Sequence, residues 1–314
     1  MKKVAFMFPG QGSQQVGMGQ EFFNKYPEVQ AIYDEANNIL NKDLKGLMLD
    51  GPSDVLTETE NAQPALLLCS YAIHSILAQH QIEPVATVGH SLGEYSALVA
   101  AGAISLQEAL PLVELRGKLM EEAYPKGQGS MAAVLGLDQI EIEEALQQLS
   151  SNEIVDIANL NCPGQIVISG SKEGIDQAGL LLTDVGARRV IPLNVSGPFH
   201  SRLMKKANEE FAEEINTVSF SNSKLPVYAN VTASPVTDRH EMKELLIKQM
   251  YSPVRFEESI RQMIKQGINV FVEVGHGRVL SGLVRKIDRK VHTFSVQDPS
   301  SMEKFITWYK EESL

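Results

Sequence analysis

Residues 89–93 read Gly-His-Ser-Leu-Gly and form the part of this chain with the clearest chemical meaning. An apolar run precedes them at 85–88 and a helix-like segment begins at Glu94, so the pattern predicts a sharp strand-to-helix turn with Ser91 at its apex. Glycine two residues before and after the serine lets such a turn close. A hydroxyl presented at a helix N-terminus is typical of covalent acyl chemistry, and the alternative is a purely structural turn.

A serine hydroxyl is a poor nucleophile at neutral pH, so Ser91 needs a base, and histidine has a suitable pKa. Of the seven histidines, two lie in loops that follow strand-like runs: His200 after a Gly-Pro pair and His276 between two glycines. Both loops are expected at the carboxyl ends of strands, where open parallel sheets place their sites. The pattern favours His200 and leaves His276 open, while the side chain of His90 is expected to diverge from Ser91.

Acyl transfer also needs an oxyanion hole, in which backbone N–H groups point at the developing negative charge. The turn predicts that Leu92 supplies one donor. The second donor is expected from a loop near the first strand, and residues 9–14, Pro-Gly-Gln-Gly-Ser-Gln, form such a loop after the apolar run 4–8. The rival interpretation is a dinucleotide-binding GxGxxG turn, and Gln15 in place of the third glycine counts against it.

Arg116 lies on the apolar stripe of a predicted helix, three residues after Val113 and four before Met120. The start of this helix is marked by Ser105 followed by Glu108, the pattern of a capping box. A guanidinium on a buried face is costly unless an acid pairs with it. Two interpretations remain open: a structural arginine, or a bidentate clamp for a substrate carboxylate.

The order of the predicted elements indicates how these residues are positioned. Strands alternate with helices in the first and last parts of the chain, which predicts an α/β fold with a mostly parallel sheet and flanking helices, α/β-hydrolase-like. Between them lies a run of strand, helix, strand, strand, helix, strand, the order of an inserted ferredoxin-like α+β subdomain. We predict a large catalytic subdomain from 1–124 and 199–314 and a small subdomain from 125–198.

Composition excludes several classes of function. The 314 residues carry a net charge of −11, which argues against nucleic acid as a partner, since a phosphate backbone needs a basic surface. No segment reaches the roughly 18 apolar residues of a membrane span, and the run 4–8 is too short for a signal-peptide core. Cys69 and Cys162 lack metal or redox spacing. We therefore expect a cytoplasmic protein with reduced thiols and neither a membrane segment nor a metal site.

Several separated motifs together are similar to those of one family. The loop 10–14, the turn 89–94, Arg116, the Gly-Pro-Phe-His run 197–200 and Gln249 occur in this order, and with them the chain resembles the bacterial malonyl-CoA:acyl carrier protein transacylase family over nearly its whole length. The resemblance implies a ping-pong transfer of malonyl from coenzyme A to a serine and then to the phosphopantetheine thiol of acyl carrier protein. It implies malonyl-CoA and acyl carrier protein as partners in fatty acid biosynthesis, and no cofactor beyond the coenzyme A thioester substrate.

The family's functional residues can be carried over position by position. The resemblance makes Ser91 the nucleophile and His200 its base, and it places Gln249 where a backbone carbonyl orients that histidine. It assigns the oxyanion-hole N–H groups to Gln11 and Leu92.

The same resemblance assigns the substrate contacts. Arg116 would bind the malonyl carboxylate, and Phe199 would crowd the space that an α-methyl branch needs, a preference worth about 1–3 kcal/mol. His276 is a departure, because the family more often has proline there. An acidic carrier protein needs concentrated positive charge for docking. The candidate basic pairs are Arg188-Arg189, Lys205-Lys206, and Arg285-Lys286 with Arg289-Lys290.

Two other kinds of function compete with this expectation. A serine esterase or thioesterase would share Ser91 and His200 but transfer the acyl group to water. Arg116, and the lack of a convincing third acid in the order expected of a hydrolase, count against that class. A non-catalytic subunit that docks carrier protein is the other alternative.

Overall fold

The architecture is that of a computed structural model, which describes residues 2–125 and 127–311. The strands in chain order are β1 (Val4–Phe8), β2 (Ala86–Gly89), β3 (Gly129–Leu135), β4 (Val155–Cys162), β5 (Gln165–Ser171), β6 (Arg189–Pro192), β7 (Val227–Tyr228), β8 (Pro235–Val236), β9 (Val270–Val274) and β10 (His292–Val296).

The helices surround these strands. In chain order they are α1 (Gln20–Lys25), α2 (Pro27–Leu40), α3 (Leu44–Asp50), α4 (Ser53–Thr57), α5 (Thr59–Gln79), α6 (Gly93–Ala100), α7 (Leu106–Glu122), α8 (Gln139–Leu146), α9 (Lys172–Asp184), α10 (Lys205–Thr217), α11 (Arg239–Gln249), α12 (Phe256–Lys265), α13 (Val279–Ile287) and α14 (Pro299–Glu311). A short 3-10 helix, Arg202–Met204, leads into α10.

The larger sheet has the strand order β10-β9-β1-β2-β7-β8, and every neighbouring pair is parallel except β7 with β8. The prediction of an α/β fold with a mostly parallel sheet and flanking helices is confirmed. Strand β1 is apolar at every position because helices cover both faces of the sheet. Phe6 and Phe8 join one apolar cluster, and Ala5 and Met7 join a second cluster on the opposite face.

A second sheet of four antiparallel strands has the order β4-β5-β3-β6. With α8 and α9 it follows the chain order strand, helix, strand, strand, helix, strand of the ferredoxin-like arrangement. Its apolar cluster draws Val134, Ile142, Ile168 and Leu182 from two strands and two helices. The exact division of the chain at 125 and 198 stays a prediction.

The carboxyl ends of β1 and β2 place two predicted loops side by side. The strands are parallel neighbours, and Phe8 and Gly89, their last residues, are partners in the register. The loop after β1 and the turn after β2 therefore leave the sheet at the same edge. At this edge β4 of the smaller sheet contacts the larger unit, since the N–H of Leu160 donates to the carbonyl oxygen of Val254 at 2.9 Å.

Helix α7 carries Arg116 into the interior. It begins after Ser105, whose Oγ accepts the N–H of Glu108 at 3.2 Å, as the capping pattern predicts. The helix packs against α5. At Gly117 the two backbones approach so closely that a Cβ would collide with the backbone of Thr59. This close approach leaves Arg116 completely buried.

Candidate active site

Ser91 occupies the apex of the turn between β2 and α6, with φ of +51° in the left-handed region. Both flanking glycines are required, because a Cβ on Gly89 would collide with the backbone of Gly93, and a Cβ on Gly93 would collide with the carbonyl oxygen of Phe8. The N–H of Ser91 donates to Oδ1 of Asn230 at 2.8 Å. The surrounding structure thus holds a backbone conformation that serine seldom adopts.

His200 is the histidine that lies beside Ser91. Its Nε2 is 2.8 Å from Ser91 Oγ, and its Nδ1 is 2.9 Å from the backbone carbonyl oxygen of Gln249. A carbonyl oxygen can only accept, so Nδ1 carries the proton and Nε2 is free to take the proton of the serine hydroxyl. The side chains predicted as nucleophile and base are therefore within hydrogen-bond distance.

Gln249 is the last residue of α11, and this position explains why its carbonyl is available to His200. The last carbonyl groups of a helix have no partner within the helix, and they form the negative end of its dipole. A carbonyl there fixes the orientation of the imidazole and can stabilise an imidazolium. A hydrolase triad uses a carboxylate for the same purpose.

The environment keeps His200 neutral. Burial, and to a smaller extent the positive charge of Arg116, lowers the pKa of His200 to about 3. The neutral form is the one that accepts a proton from serine, so the lowered pKa extends the active form to acidic pH.

We expect the rate at which a neutral fluorophosphonate labels Ser91 to stay constant from about pH 8 down to about pH 5, because His200 is still unprotonated there. Labelling rates of the wild-type protein and of His200→Ala, measured across this range, check the prediction. The variant gives the rate without a base. A wild-type rate that falls with an inflection near 6.5, the ordinary histidine pKa, would contradict the described environment of His200.

Arg116 is held by neutral groups rather than by an acid. Its Nη1 donates to Oε1 of Gln63 at 2.7 Å, and its Nη2 donates to Oε1 of Gln249 at 2.9 Å. The same Nη2 lies 3.1 Å from Ser91 Oγ, and the guanidinium lies 5.3 Å from the ring centre of Tyr95. Two amide oxygens, and no carboxylate, therefore accept hydrogen bonds from the guanidinium within the described residues. A buried cation with neutral partners remains available to an anion.

The two predicted oxyanion-hole residues flank Ser91. Gln11 lines the same cavity as Ser91, and its side-chain Nε2 donates to Oγ1 of Thr59 at 3.2 Å. The loop lies tightly against the turn, because a Cβ on Gly10 would collide with a carbonyl oxygen of the turn. Within residues 2–125 and 127–311, neither the Gln11 N–H nor the Leu92 N–H donates to a protein acceptor.

A cavity of about 410 Å³ opens at Ser91. Its lining combines apolar side chains with a larger number of polar ones, which converge on the serine and can orient a polar ligand. Phe199, the predicted neighbour of the acyl group, is part of this lining beside His200. The remaining lining residues are Gln11, Gly12, Gln14, Thr57, His90, Met120, Met131, Asn159, Leu193, Asn194 and Val195.

The other candidate histidines have different surroundings. Nε2 of His276 lies 3.3 Å from Oε1 of Gln15, and His276 is outside the cavity lining. Nε2 of His90 lies 2.8 Å from Oδ1 of Asn161, so its side chain diverges from the serine hydroxyl as expected. His200 is thus the histidine with the geometry of a base.

The sequence analysis assigned no role to three buried polar residues of the site. Oδ1 of Asn230 accepts the Ser91 N–H, and its Nδ2 donates to the carbonyl oxygen of Gly89 at 2.7 Å. Gln63 contacts Arg116, and Glu94 lies behind the turn. Gln63 stands in the apolar helix α5, so a polar residue on a buried helix was a usable signal. Asn230 follows a strand of only two residues, so the sequence contained no comparable signal for it.

Across the described ranges 2–125 and 127–311, no cluster of His, Cys, Asp and Glu side chains is arranged to hold a metal ion. In those ranges no helix has both the length and the apolar character that crossing a bilayer requires. Cys69 and Cys162 are buried free thiols, and burial raises the pKa of Cys69 to about 12.

A strained serine within reach of a neutral imidazole, at the carboxyl edge of a parallel sheet, defines a class of enzyme: the serine-dependent acyl-transfer enzymes of α/β fold. A buried guanidinium lies beside the serine, with Nη2 of Arg116 3.1 Å from Ser91 Oγ. The chain belongs to the acyl transferase domain family, whose model matches residues 5–310.

Similar proteins of this family share its full length. The malonyl CoA-acyl carrier protein transacylase of Bacillus subtilis (strain 168) is 48% identical over 314 residues, which cover 100% of this chain and 99% of that protein. The crystal structure of an acyl carrier protein S-malonyltransferase from Vibrio cholerae has a TM-score of 0.95 and 43% identity, covering 97% of this chain and 100% of that chain.

A further solved structure contains a carrier protein. It is a type II PKS acyl-carrier protein in complex with its malonyl-transacylase, with a TM-score of 0.95, 39% identity, and coverage of 98% of this chain and 99% of that one. The resemblance predicted from the motifs of the sequence is confirmed by these comparisons.

Proposed function

We propose that the protein transfers a malonyl group from malonyl-CoA to the phosphopantetheine thiol of acyl carrier protein, through a malonyl ester on Ser91, and so supplies fatty acid biosynthesis. The observation that carries this proposal is the meeting of two groups at one oxygen: Ser91 Oγ lies 2.8 Å from Nε2 of His200 and 3.1 Å from Nη2 of Arg116. A base and a cation at one hydroxyl suit a thioester whose far end is a carboxylate. The full-length relatives that carry the malonyl transacylase name support it.

The first half-reaction forms the acyl-enzyme. Nε2 of His200 takes the proton of Ser91 Oγ while the oxygen attacks the thioester carbonyl carbon, and a C–O bond forms. The tetrahedral intermediate collapses, the C–S bond breaks, and the imidazolium gives its proton to the coenzyme A sulfur. The Gln249 carbonyl, 2.9 Å from Nδ1, holds the ring through both transfers.

The second half-reaction runs the same steps in reverse with a different thiol. His200 accepts the proton of the phosphopantetheine thiol, and the thiolate attacks the malonyl ester carbon. The C–S bond forms, the ester C–O bond breaks, and the proton returns to Ser91 Oγ. One base thus serves both halves of a ping-pong transfer.

The developing oxyanion is bound by the N–H groups of Gln11 and Leu92. Their donors come from adjacent loops at the ends of β1 and β2, and Leu92 precedes the first residue of α6, where the helix dipole favours negative charge. Each preorganised donor of this kind contributes roughly 10²- to 10³-fold to the rate.

Arg116 and Phe199 select the acyl group in this proposal. The guanidinium binds the malonyl carboxylate bidentately, and its fixed amide partners hold it in place beforehand. Phe199 in the cavity lining leaves little room for an α-methyl branch, so malonyl is preferred to methylmalonyl by about 1–3 kcal/mol.

The proposal includes the setting of the reaction. All steps use side chains and backbone groups of this chain together with the thioester, so the reaction requires no added cofactor. The two buried free thiols fit a reducing compartment, which supports a cytoplasmic location. Of the predicted basic pairs, Lys205 and Lys206 begin α10 shortly after His200, and this placement favours them as carrier-protein contacts.

Incubation with malonyl-CoA and holo acyl carrier protein separates transfer from hydrolysis. We expect malonyl-carrier protein to form as coenzyme A is released, because the site binds the malonyl carboxylate and its histidine has no carboxylate partner. Mass spectrometry of the carrier protein, with apo carrier lacking phosphopantetheine as control, follows the product. Rapid release of free malonate without malonyl-carrier protein would support a thioesterase instead.

A further inference from the structure

A buried carboxylate behind the turn has no part in the steps above. Glu94, in the first turn of α6, is buried, and its Oε2 accepts the backbone N–H of Asn230 at 3.0 Å and Nε2 of Gln249 at 2.7 Å. Burial raises the pKa of Glu94 to about 7. Glutamate is almost never fully buried unless it is paired, so its partners indicate its role.

The Gln249 side chain connects this carboxylate to the functional groups. Its Oε1 accepts Nη2 of Arg116 at 2.9 Å, while its Nε2 donates to Glu94 and to the Ser91 carbonyl oxygen at 3.1 Å. The backbone carbonyl of the same residue accepts Nδ1 of His200. One glutamine thus contacts the cation, the base and the serine turn.

A glutamine amide can occupy its site in two orientations, which exchange its donor and acceptor ends. Oε2 of Glu94 accepts the Asn230 N–H, and as a carboxylate oxygen it takes the NH₂ end of Gln249, the end that also donates to the Ser91 carbonyl oxygen and to Oδ1 of Asn230. The carbonyl end must then face Arg116. In the reverse orientation two donors would face each other at Arg116 and two acceptors would face each other at Glu94.

We propose that Glu94 is a positioning residue, which fixes the Gln249 amide and thereby aims Arg116 at the carboxylate of the acyl group. The proposal rests on the malonyl transfer proposed above. It deepens that function, because selectivity for a charged acyl group then depends on a residue that touches no substrate. His200 is held by the backbone of Gln249, which α11 fixes independently of Glu94.

A comparison of malonyl loading with acetyl loading therefore distinguishes a positioning role of Glu94 from a general structural role. Only malonyl presents a carboxylate to Arg116, whereas both need Ser91 and His200. We expect Glu94→Met, which keeps the side-chain length and removes the acceptor, to lower kcat/KM for malonyl loading by about 10- to 100-fold and that for acetyl loading by less than about threefold.

Glu94→Gln tests whether orientation or charge matters. The carbonyl oxygen of the new amide can accept both N–H bonds that Oε2 accepts now, so we expect it to restore malonyl loading to within about threefold of wild type. If Glu94→Gln lowers malonyl loading relative to acetyl loading as much as Glu94→Met does, the negative charge of Glu94 matters and not its acceptor oxygen. That result would overturn the proposal.

Glu273→Gln is the matched control, because Glu273 is an equally buried carboxylate that accepts the N–H groups of Leu280 and Ser281 away from the cavity. It is expected to change both acyl groups alike. Gln249→Leu, which keeps the backbone carbonyl, tests the relay if Glu94→Met does not fold. Malonyl loading should again fall more than acetyl loading.

Equal losses of malonyl and acetyl loading in Glu94→Met or in Gln249→Leu would overturn the positioning role. A wild-type protein that loads no malonyl at all would instead refute the proposed function. The two failures are therefore distinguishable in one set of measurements.

Discussion

Replacement of Ser91 by alanine is expected to lower malonyl transfer to acyl carrier protein by at least about 10⁴-fold. In the proposed mechanism the transfer proceeds through an ester on Oγ, the oxygen on which His200 Nε2 and Arg116 Nη2 converge. The rate of malonyl-carrier formation, followed by mass spectrometry at saturating malonyl-CoA, measures the loss.

Ser96→Ala is the matched control for this variant. Ser96 lies on α6, the helix that follows the serine turn, is buried, and its Oγ has no hydrogen-bond partner among the residues that the structure describes. Its transfer rate should stay within about threefold of wild type, since surplus hydroxyl groups contribute little. Transfer by Ser91→Ala within about tenfold of wild type would show a route that bypasses the serine.

Replacement of Arg116 by alanine is expected to lower kcat/KM for malonyl-CoA by roughly 30- to 5,000-fold, the range for removing one partner of a buried hydrogen-bonded charge pair. Acetyl loading should fall by less than about tenfold, because acetyl has no carboxylate for the guanidinium. Loading rates with malonyl-CoA and acetyl-CoA, measured side by side, give the ratio that tests this role.

Two further variants make the Arg116 result specific. Arg261→Ala removes an exposed arginine that pairs with Glu257, and it should leave both loading rates unchanged. Arg116→Lys keeps the charge without the planar fork, so malonyl loading should lie between that of alanine and that of wild type. If Arg116→Ala slows malonyl and acetyl loading equally, the arginine is structural.

The serine turn could be predicted from the sequence because its signal is local. Gly89, Ser91 and Gly93 are close in the chain, and the collisions that exclude a Cβ at both glycines involve the turn and the neighbouring strand. The capped helix that carries Arg116 is likewise encoded in a short pattern. Predictions of this kind need only the spacing of apolar residues along a helix or strand and the residue types that begin and end it.

The base could not be decided from pattern alone. His200 and His276 both follow strand-like runs, and only the resemblance to a family separated them. The hydrogen bond that settles the geometry joins Ser91 to a residue 109 positions away, and it depends on the strand order of the whole sheet. Periodicity predicts which face of a helix or strand is buried, but not which residues from distant parts of the chain pack against that face.

The same limit explains why the hydrogen-bond partners of Arg116 could not be predicted from the sequence. Its helical period predicted that it lies on the apolar face of α7, but not which polar groups the guanidinium would meet there. The structure provides the amides of Gln63 and Gln249, with Glu94 one residue further away behind Gln249. Which polar groups meet in an interior depends on how α5, α7 and α11 pack, and no single stretch of sequence contains that information.

Mass spectrometry of the peptide that contains Ser91, after brief incubation with malonyl-CoA, tests directly whether the covalent intermediate forms. We expect a malonyl group on Ser91 that disappears when holo acyl carrier protein is added, with malonyl-carrier protein formed in its place. A peptide that stays unmodified at Ser91 while transfer proceeds, or an adduct on another residue that turns over at the rate of transfer, would contradict it.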